Sequence, residues 1–124
     1  MSAGDLELAR EFLDALAVAA KTGESEAIYP LLAPDVEWSA PQLALRGLEE
    51  VRERMTWLPT RENLEVEFGE PELTDLGSGR VVSDVHETYR MKDTGDFAYS
   101  RERRIELTIS EGVITRYEMR FTGS

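Results

Sequence analysis

The stretch "RVVSDVHETYRMKDTGDFAYSRERRIELTISEGVITRYEMRF", Arg80 to Phe121, decides the fold. Two turn signals divide it. Asp93-Thr94-Gly95 and Ser110-Glu111-Gly112 each read as a three-residue hairpin loop, a type I turn followed by glycine in the left-handed region. Lys92 then faces Asp96, and Ile109 faces Val113. Counting back from the turns sets Asp84 opposite Arg104 and Arg104 opposite Glu118. It sets His86 opposite Glu102, Glu102 opposite Arg120, and Glu106 opposite Arg116. Charges of opposite sign face each other across one side of the sheet, which stabilises it slightly. The other side reads apolar. It carries Val81, Ser83, Val85, Glu87 and Tyr89, then Tyr99, Arg101, Arg103, Ile105, Leu107 and Ile109, then Thr115, Tyr117, Met119 and Phe121.

Upstream, Leu6, Ala9, Phe12, Leu13, Leu16, Ala17 and Ala20 recur at helical spacing. Ser2 or Asp5 caps this helix, and Gly23 ends it after Lys21. Ser25 opens a second, short helix through Leu32, limited by Pro30 and stopped by Pro34. Val36 and Trp38 alternate with Glu37 and Ser39, a short strand that Pro41 ends. Gly47 precedes a third helix, Leu48 to Leu58, with Glu49 and Glu50 in its first turn and Pro59 after it. Leu64, Val66 and Phe68 alternate with Glu65 and Glu67, a half-buried strand. The order is helix, helix, strand, helix, then four antiparallel strands. That order predicts an α+β domain spanning residues 1–124, with helices on the concave face of a curved, mostly antiparallel sheet.

A chain of 124 residues is long enough for one hydrophobic core. Its formal net charge of -11 argues against nucleic-acid and anionic-membrane partners, which need a surplus of lysine and arginine. It has no cysteine, which excludes disulfides, thiolate nucleophiles and cysteine-based zinc sites. With one histidine as well, no convincing metal set arises, and no cofactor is expected. No phosphate-cradling glycine loop or nucleophile elbow is present. The start is acidic where a signal peptide would be basic, and no apolar run approaches membrane-spanning length, so a cytoplasmic location is expected.

Three segments carry a likeness to a known superfamily. They are "EFLDALAVAAKTGESEAIYPLLAPDVEW" (Glu11 to Trp38), "RGLEEVRERM" (Arg46 to Met55) and "RIELTISEGVITRYEMRF" (Arg104 to Phe121). In this order they resemble the opening helix pair and strand, the glycine-led third helix and the last hairpin of the nuclear-transport-factor-2-like superfamily. The likeness is to its SnoaL-like and ketosteroid-isomerase-like members. The resemblance implies a conical, cystatin-like barrel with three N-terminal helices. It also implies a deep pocket for a small-molecule ligand and a homodimer packed through the sheet. Members include cofactor-independent isomerases, cyclases and hydrolases, and proteins that only bind. Ketosteroid isomerases carry a catalytic aspartate just after the first strand, where this chain has Trp38-Ser39-Ala40-Pro41. Ile105 stands where they place a protonated acid, and Phe12 and Leu13 stand where they place a tyrosine. Limonene-epoxide-hydrolase-like members use an arginine with two acids. Glu87 and Arg101 imitate part of that set, without a second acid.

On the residues themselves, Glu87 falls opposite Arg101 on the apolar face, with Arg103 beside it. Glu87 reads as a general base or an activator of water. Arg101 or Arg103 would hold a carboxylate, phenolate or enolate and stabilise developing negative charge. The competing reading is a half-solvated salt bridge at the open end of the cone, without chemistry. Trp38, Trp57, Tyr89, Tyr99, Tyr117, Met119 and Phe121 are the expected lining of an apolar pocket, or simply core. His86 falls on the outer face beside Glu102. The expected function is therefore a pocket protein that acts on or binds a small, largely apolar, anionic organic molecule. A non-catalytic binding or dimeric interaction protein of the same fold is the alternative.

Overall fold

The computed structural model describes residues 2–55 and 63–123. Helix α1 spans Ser2–Thr22, and Gly23, at φ 81°, donates its N–H to the Ala19 carbonyl and closes it. The second helix expected from Ser25 to Leu32 is a correction: only a 3₁₀ turn forms there, Tyr29–Leu31. Pro30 sits inside it and withholds the donor that a longer helix needs. Helix α2 spans Leu48–Met55, led by Gly47 at φ 90°, so the described residues contain two α-helices, not three. The expected continuation to Leu58, and Trp57 and Pro59 with it, lies outside the described residues.

Seven strands form one curved, open sheet: β1 Leu32–Ala40, β2 Leu43–Arg46, β3 Leu64–Phe68, β4 Glu72–Gly77, β5 Arg80–Met91, β6 Phe97–Ser110 and β7 Val113–Gly123. The order across it is β2-β1-β7-β6-β5-β3, with β4 also on β5. All pairs are antiparallel except β1 with β7. Strands β3 and β4 share one edge of β5 as a broken strand. β3 pairs with its last five residues, Glu87 to Met91, and β4 with its beginning. The break is Gly69-Glu70-Pro71, where the Gly69 N–H still donates to the His86 carbonyl. Strands β2 and β4 were not expected. The first follows a Pro41-Gln42 turn with Gln42 at φ 62°, and the second ends in a turn with Ser78 and Gly79 at φ 55° and 78°.

The turns differ from expectation in an instructive way. Between β5 and β6, Met91 donates to the Asp96 carbonyl, so Lys92 does not face Asp96 and the loop has four residues. A bulge at Ala98 then adds one residue, and Tyr89 returns to face Tyr99. The two departures cancel, and Asp84–Arg104, His86–Glu102 and Glu87–Arg101 face each other as expected. Between β6 and β7 they add instead. The loop is Glu111-Gly112, both at positive φ (52° and 79°), as a two-residue type I′ turn requires. A bulge at Thr115 shifts the register once more. Arg104 consequently faces Arg120, and Glu106 faces Glu118. The expected opposite-charge pairs between these strands are overturned. From Arg116 on, the shift of two leaves each side chain on its expected face, because strand side chains alternate with period two; before the bulge the shift is one, and Ile114 turns inward opposite Ile109 where Val113 was expected.

The core lies between α1 and the inner face of the sheet. Phe12 of α1 is buried edge-on against Trp38 and Tyr117, with centroids 6.1 and 5.8 Å away, and those two rings stack at 3.8 Å. Val81, Ile105, Leu107 and Ile114 complete the layer. On the outer face, charges pair diagonally or along a strand: Arg80 with Glu106 at 3.0 Å and Arg116 with Glu118 at 2.8 Å. Arg104 takes Asp84 straight across at 2.8 Å. Among the described residues, no helix is long and apolar enough to cross a membrane.

Candidate functional site

Alternation along β5 turns Val81, Ser83, Val85, Glu87 and Tyr89 inward, and all five are buried. Glu87 is the one buried carboxylate of this face, with its side chain 3% exposed. Because Glu87 and Arg101 are facing residues, the Arg101 Nε donates to Glu87 Oε1 at 2.8 Å. Arg101 Nη2 donates to the Tyr89 hydroxyl at 3.0 Å, and that hydroxyl donates to Glu87 Oε2 at 3.4 Å. Both carboxylate oxygens are engaged. Tyr89 stacks on Tyr99 at 4.5 Å, and the Arg101 guanidinium lies 4.8 Å from the Phe121 ring. Burial alone would lower the Arg101 pKa. The hydrogen bond and charge of Glu87, aided by Tyr89, outweigh it and raise the pKa.

Arg103, facing Val85, is the second guanidinium at Glu87, with Nε 3.5 Å from Oε1. That Nε is buried and makes no hydrogen bond among the described residues. The Tyr117 phenol lies deeper, and burial pushes its pKa up to about 12. The Arg103 charge pulls against that rise and the Glu87 charge adds to it. Ser83, buried on the same face, has a hydroxyl without a partner among the described residues.

A cavity of about 210 Å³ opens beside this group. One wall is α1, with Leu13, Asp14, Leu16 and Ala17. The other is the β3–β4 break, Phe68 to Pro71, with Val85 and Arg103 behind. Gly69 and Pro71 interrupt the edge strand there, between β3 and β4, which both pack against α1. The volume is below the ~300 Å³ at which drug-sized ligands begin to fit, so the space admits only a small molecule.

The structure thus gathers Glu87, Arg101, Arg103 and Tyr89 into one cluster, with Tyr99 and Phe121 at its rim. Of the expected site residues among the described ones, only Arg103 lines the cavity; Trp57 lies outside them. Trp38 and Tyr117 form the stacked core pair, Met119 packs on the core, and Phe121 is 46% exposed. His86 is half-exposed on the outer face, 3.6 Å from Glu102. Asp14 and Glu70 of the cavity were not singled out from the sequence. The signal for Glu70 was the break of alternation at Phe68-Gly69-Glu70-Pro71. Asp14 gave none, being one polar residue on an amphipathic helix. Among the described residues, no cluster of three or more metal-ligating side chains forms.

No family model matches the sequence, and no curated protein matches it significantly. Solved structures do match. An NTF2-like protein from Anabaena variabilis superposes at a TM-score of 0.81 with 16% identity, covering 100% of this chain and 93% of that one. A protein proposed to be an isomerase from Bacillus subtilis gives 0.73 and 15%, over 95% and 88% of the two chains. A protein proposed to be a polyketide cyclase from Xanthomonas campestris gives 0.74 and 14%, over 98% and 92%. The chain has the NTF2-like fold. At such identities the likeness carries fold and not chemistry.

Proposed function

We propose that this protein receives a small, largely apolar, anionic organic molecule in the cavity between α1 and the β3–β4 break. The observation that carries this reading is Arg103, a guanidinium on the cavity wall whose buried Nε lacks a hydrogen bond. Its charge is shared with Arg101 on the single carboxylate of Glu87, 3.5 Å from that Nε, so an anion on the cavity side would give the guanidinium a further partner. The walls offer Leu13, Leu16, Phe68 and Val85 to an apolar body. Glu87 acts by fixing Arg101 and Arg103, since both its oxygens are occupied. In a cofactor-independent isomerase, cyclase or hydrolase of the SnoaL-like kind, Arg103 would stabilise an enolate or oxyanion as it forms. The fold's counterparts include proteins proposed to be an isomerase and a polyketide cyclase. The alternative is binding without turnover. It is favoured by the engaged state of Glu87 and by the absence of acids after Trp38 and at Ile105.

The test is native mass spectrometry of the purified protein, followed by identification of any retained compound. A small organic acid held by the wild type and lost from a folded Arg103→Met variant is expected. Equal retention by Arg103→Met would overturn the reading. On an identified substrate, a Glu87→Gln variant that kept full activity would remove Glu87 from any mechanism.

Around this site we infer a conical, barrel-like enclosure, a single domain over 1–124 and a homodimer through the outer face of the sheet. The like-charged neighbours Arg104–Arg120 and Glu106–Glu118 support the dimer, since a second copy related by a two-fold axis can set one row against the other. A monomer in sedimentation at high concentration and low salt would contradict it.

A further inference from the structure

Three features of the cavity do not suit a simple anion. Its mouth carries two carboxylates, Asp14 on α1 and Glu70 in the β3–β4 break, and neither forms an ion pair among the described residues. Arg103 is partly neutralised by Glu87, 3.5 Å away. The whole chain has a net charge of -11, a field that repels anions and draws cations. Lys21 stands over the Phe68 ring, 5.8 Å from its centroid, and is not part of the lining. The cavity is therefore lined by charges of both signs, Asp14 and Glu70 against Arg103, together with the apolar side chains of Leu13, Leu16, Phe68 and Val85.

We propose that the occupant is a small zwitterion with an apolar body. Its carboxylate, or an equivalent oxyanion, meets Arg103, and its ammonium meets Asp14 and Glu70. Such a molecule is neutral overall and is not repelled by the protein's field. It satisfies the buried Arg103 Nε and offers the rim acids a cation. The inference rests on the reading of the cavity as an anion-receiving pocket. It adds the second pole and makes Asp14 and Glu70 the residues that select it.

The experiment titrates the protein with three matched series: short unbranched carboxylic acids, primary amines and ω-amino acids of increasing length. Binding is followed by the methyl resonances of Leu13 and Val85. In the wild type, an ω-amino acid of fitting length is expected to bind about three- to tenfold more tightly than the equally long carboxylic acid. Two half-exposed ion pairs supply a gain of that order. In an Asp14→Asn/Glu70→Gln variant the advantage disappears while the carboxylic acid binds at least as well as before. In Arg103→Met both lose affinity. If acid and amino acid bind equally, with no effect of the rim variant, the zwitterion is overturned and the anion pocket stands. If neither series shifts these methyls, or Arg103→Met leaves binding intact, both readings fall.

Discussion

At the scale of single residues, Glu87 concentrates the electrostatics of the inner face. A buried carboxylate between two guanidiniums depends on both partners. Removing one partner leaves an uncompensated buried charge. A Glu87→Gln variant should lose about 3 kcal/mol of unfolding free energy in urea, and Arg101→Met less, because Glu87 retains Arg103. Equal losses would mean that Arg103 does not share the load. Tyr117 gives a second handle. Its phenol is held up to about 12, against about 10 in an unfolded chain. Above pH 10 the unfolded state therefore binds fewer protons than the native state. Stability present below pH 10 should fall by about 2–3 kcal/mol as pH rises to about 12. Spectrophotometric titration should show one of the four tyrosines ionising after the rest, and Tyr117→Phe should remove that late step.

At the scale of elements, the turns decide register, and glycine geometry decides the turns. Gly79 has φ 78°, and a Cβ there would run into the Ile109 carbonyl. Gly79→Ala should cost at least about 3 kcal/mol. Gly95→Ala, also at positive φ (76°) but in open space, should cost about 1–2 kcal/mol. Thermal unfolding of the two variants separates steric clash from backbone strain alone. Glu111 occupies a left-handed position that asparagine prefers, so Glu111→Asn should stabilise by about 0.5–1 kcal/mol. The sequence carried the faces of β5, of β6 and of β7 from Arg116 on, because a period of two survives an even slip, and Glu87 opposite Arg101 was legible because the loop and the bulge between β5 and β6 cancel. It did not carry the β6–β7 partners. A type I′ turn with glutamate first is an unusual choice, and a bulge at Thr115 leaves no mark in the alternation. Strand β4 was hidden for a related reason: its Leu73 and Leu76 break the alternation, leaving Leu76 exposed.

At the scale of the molecule, the cavity lies between the long first helix and the break in the edge strand. That gap depends on two segments far apart in sequence, Leu13–Ala17 and Phe68–Pro71, and no local pattern announces it. Trp38 and Tyr117, two of the aromatic residues that promised a pocket wall, became core instead, because Phe12 closes over them. What remains open is small and lined by apolar side chains together with charges of both signs. The most direct test of this account is a chemical-shift map of the protein saturated with a short-chain carboxylate. We predict saturable shifts confined to Leu13, Leu16, Val85 and the Arg103 side chain. Shifts centred instead on the outer cleft of Glu37, Arg46 and Arg116, or none that saturate, would contradict it.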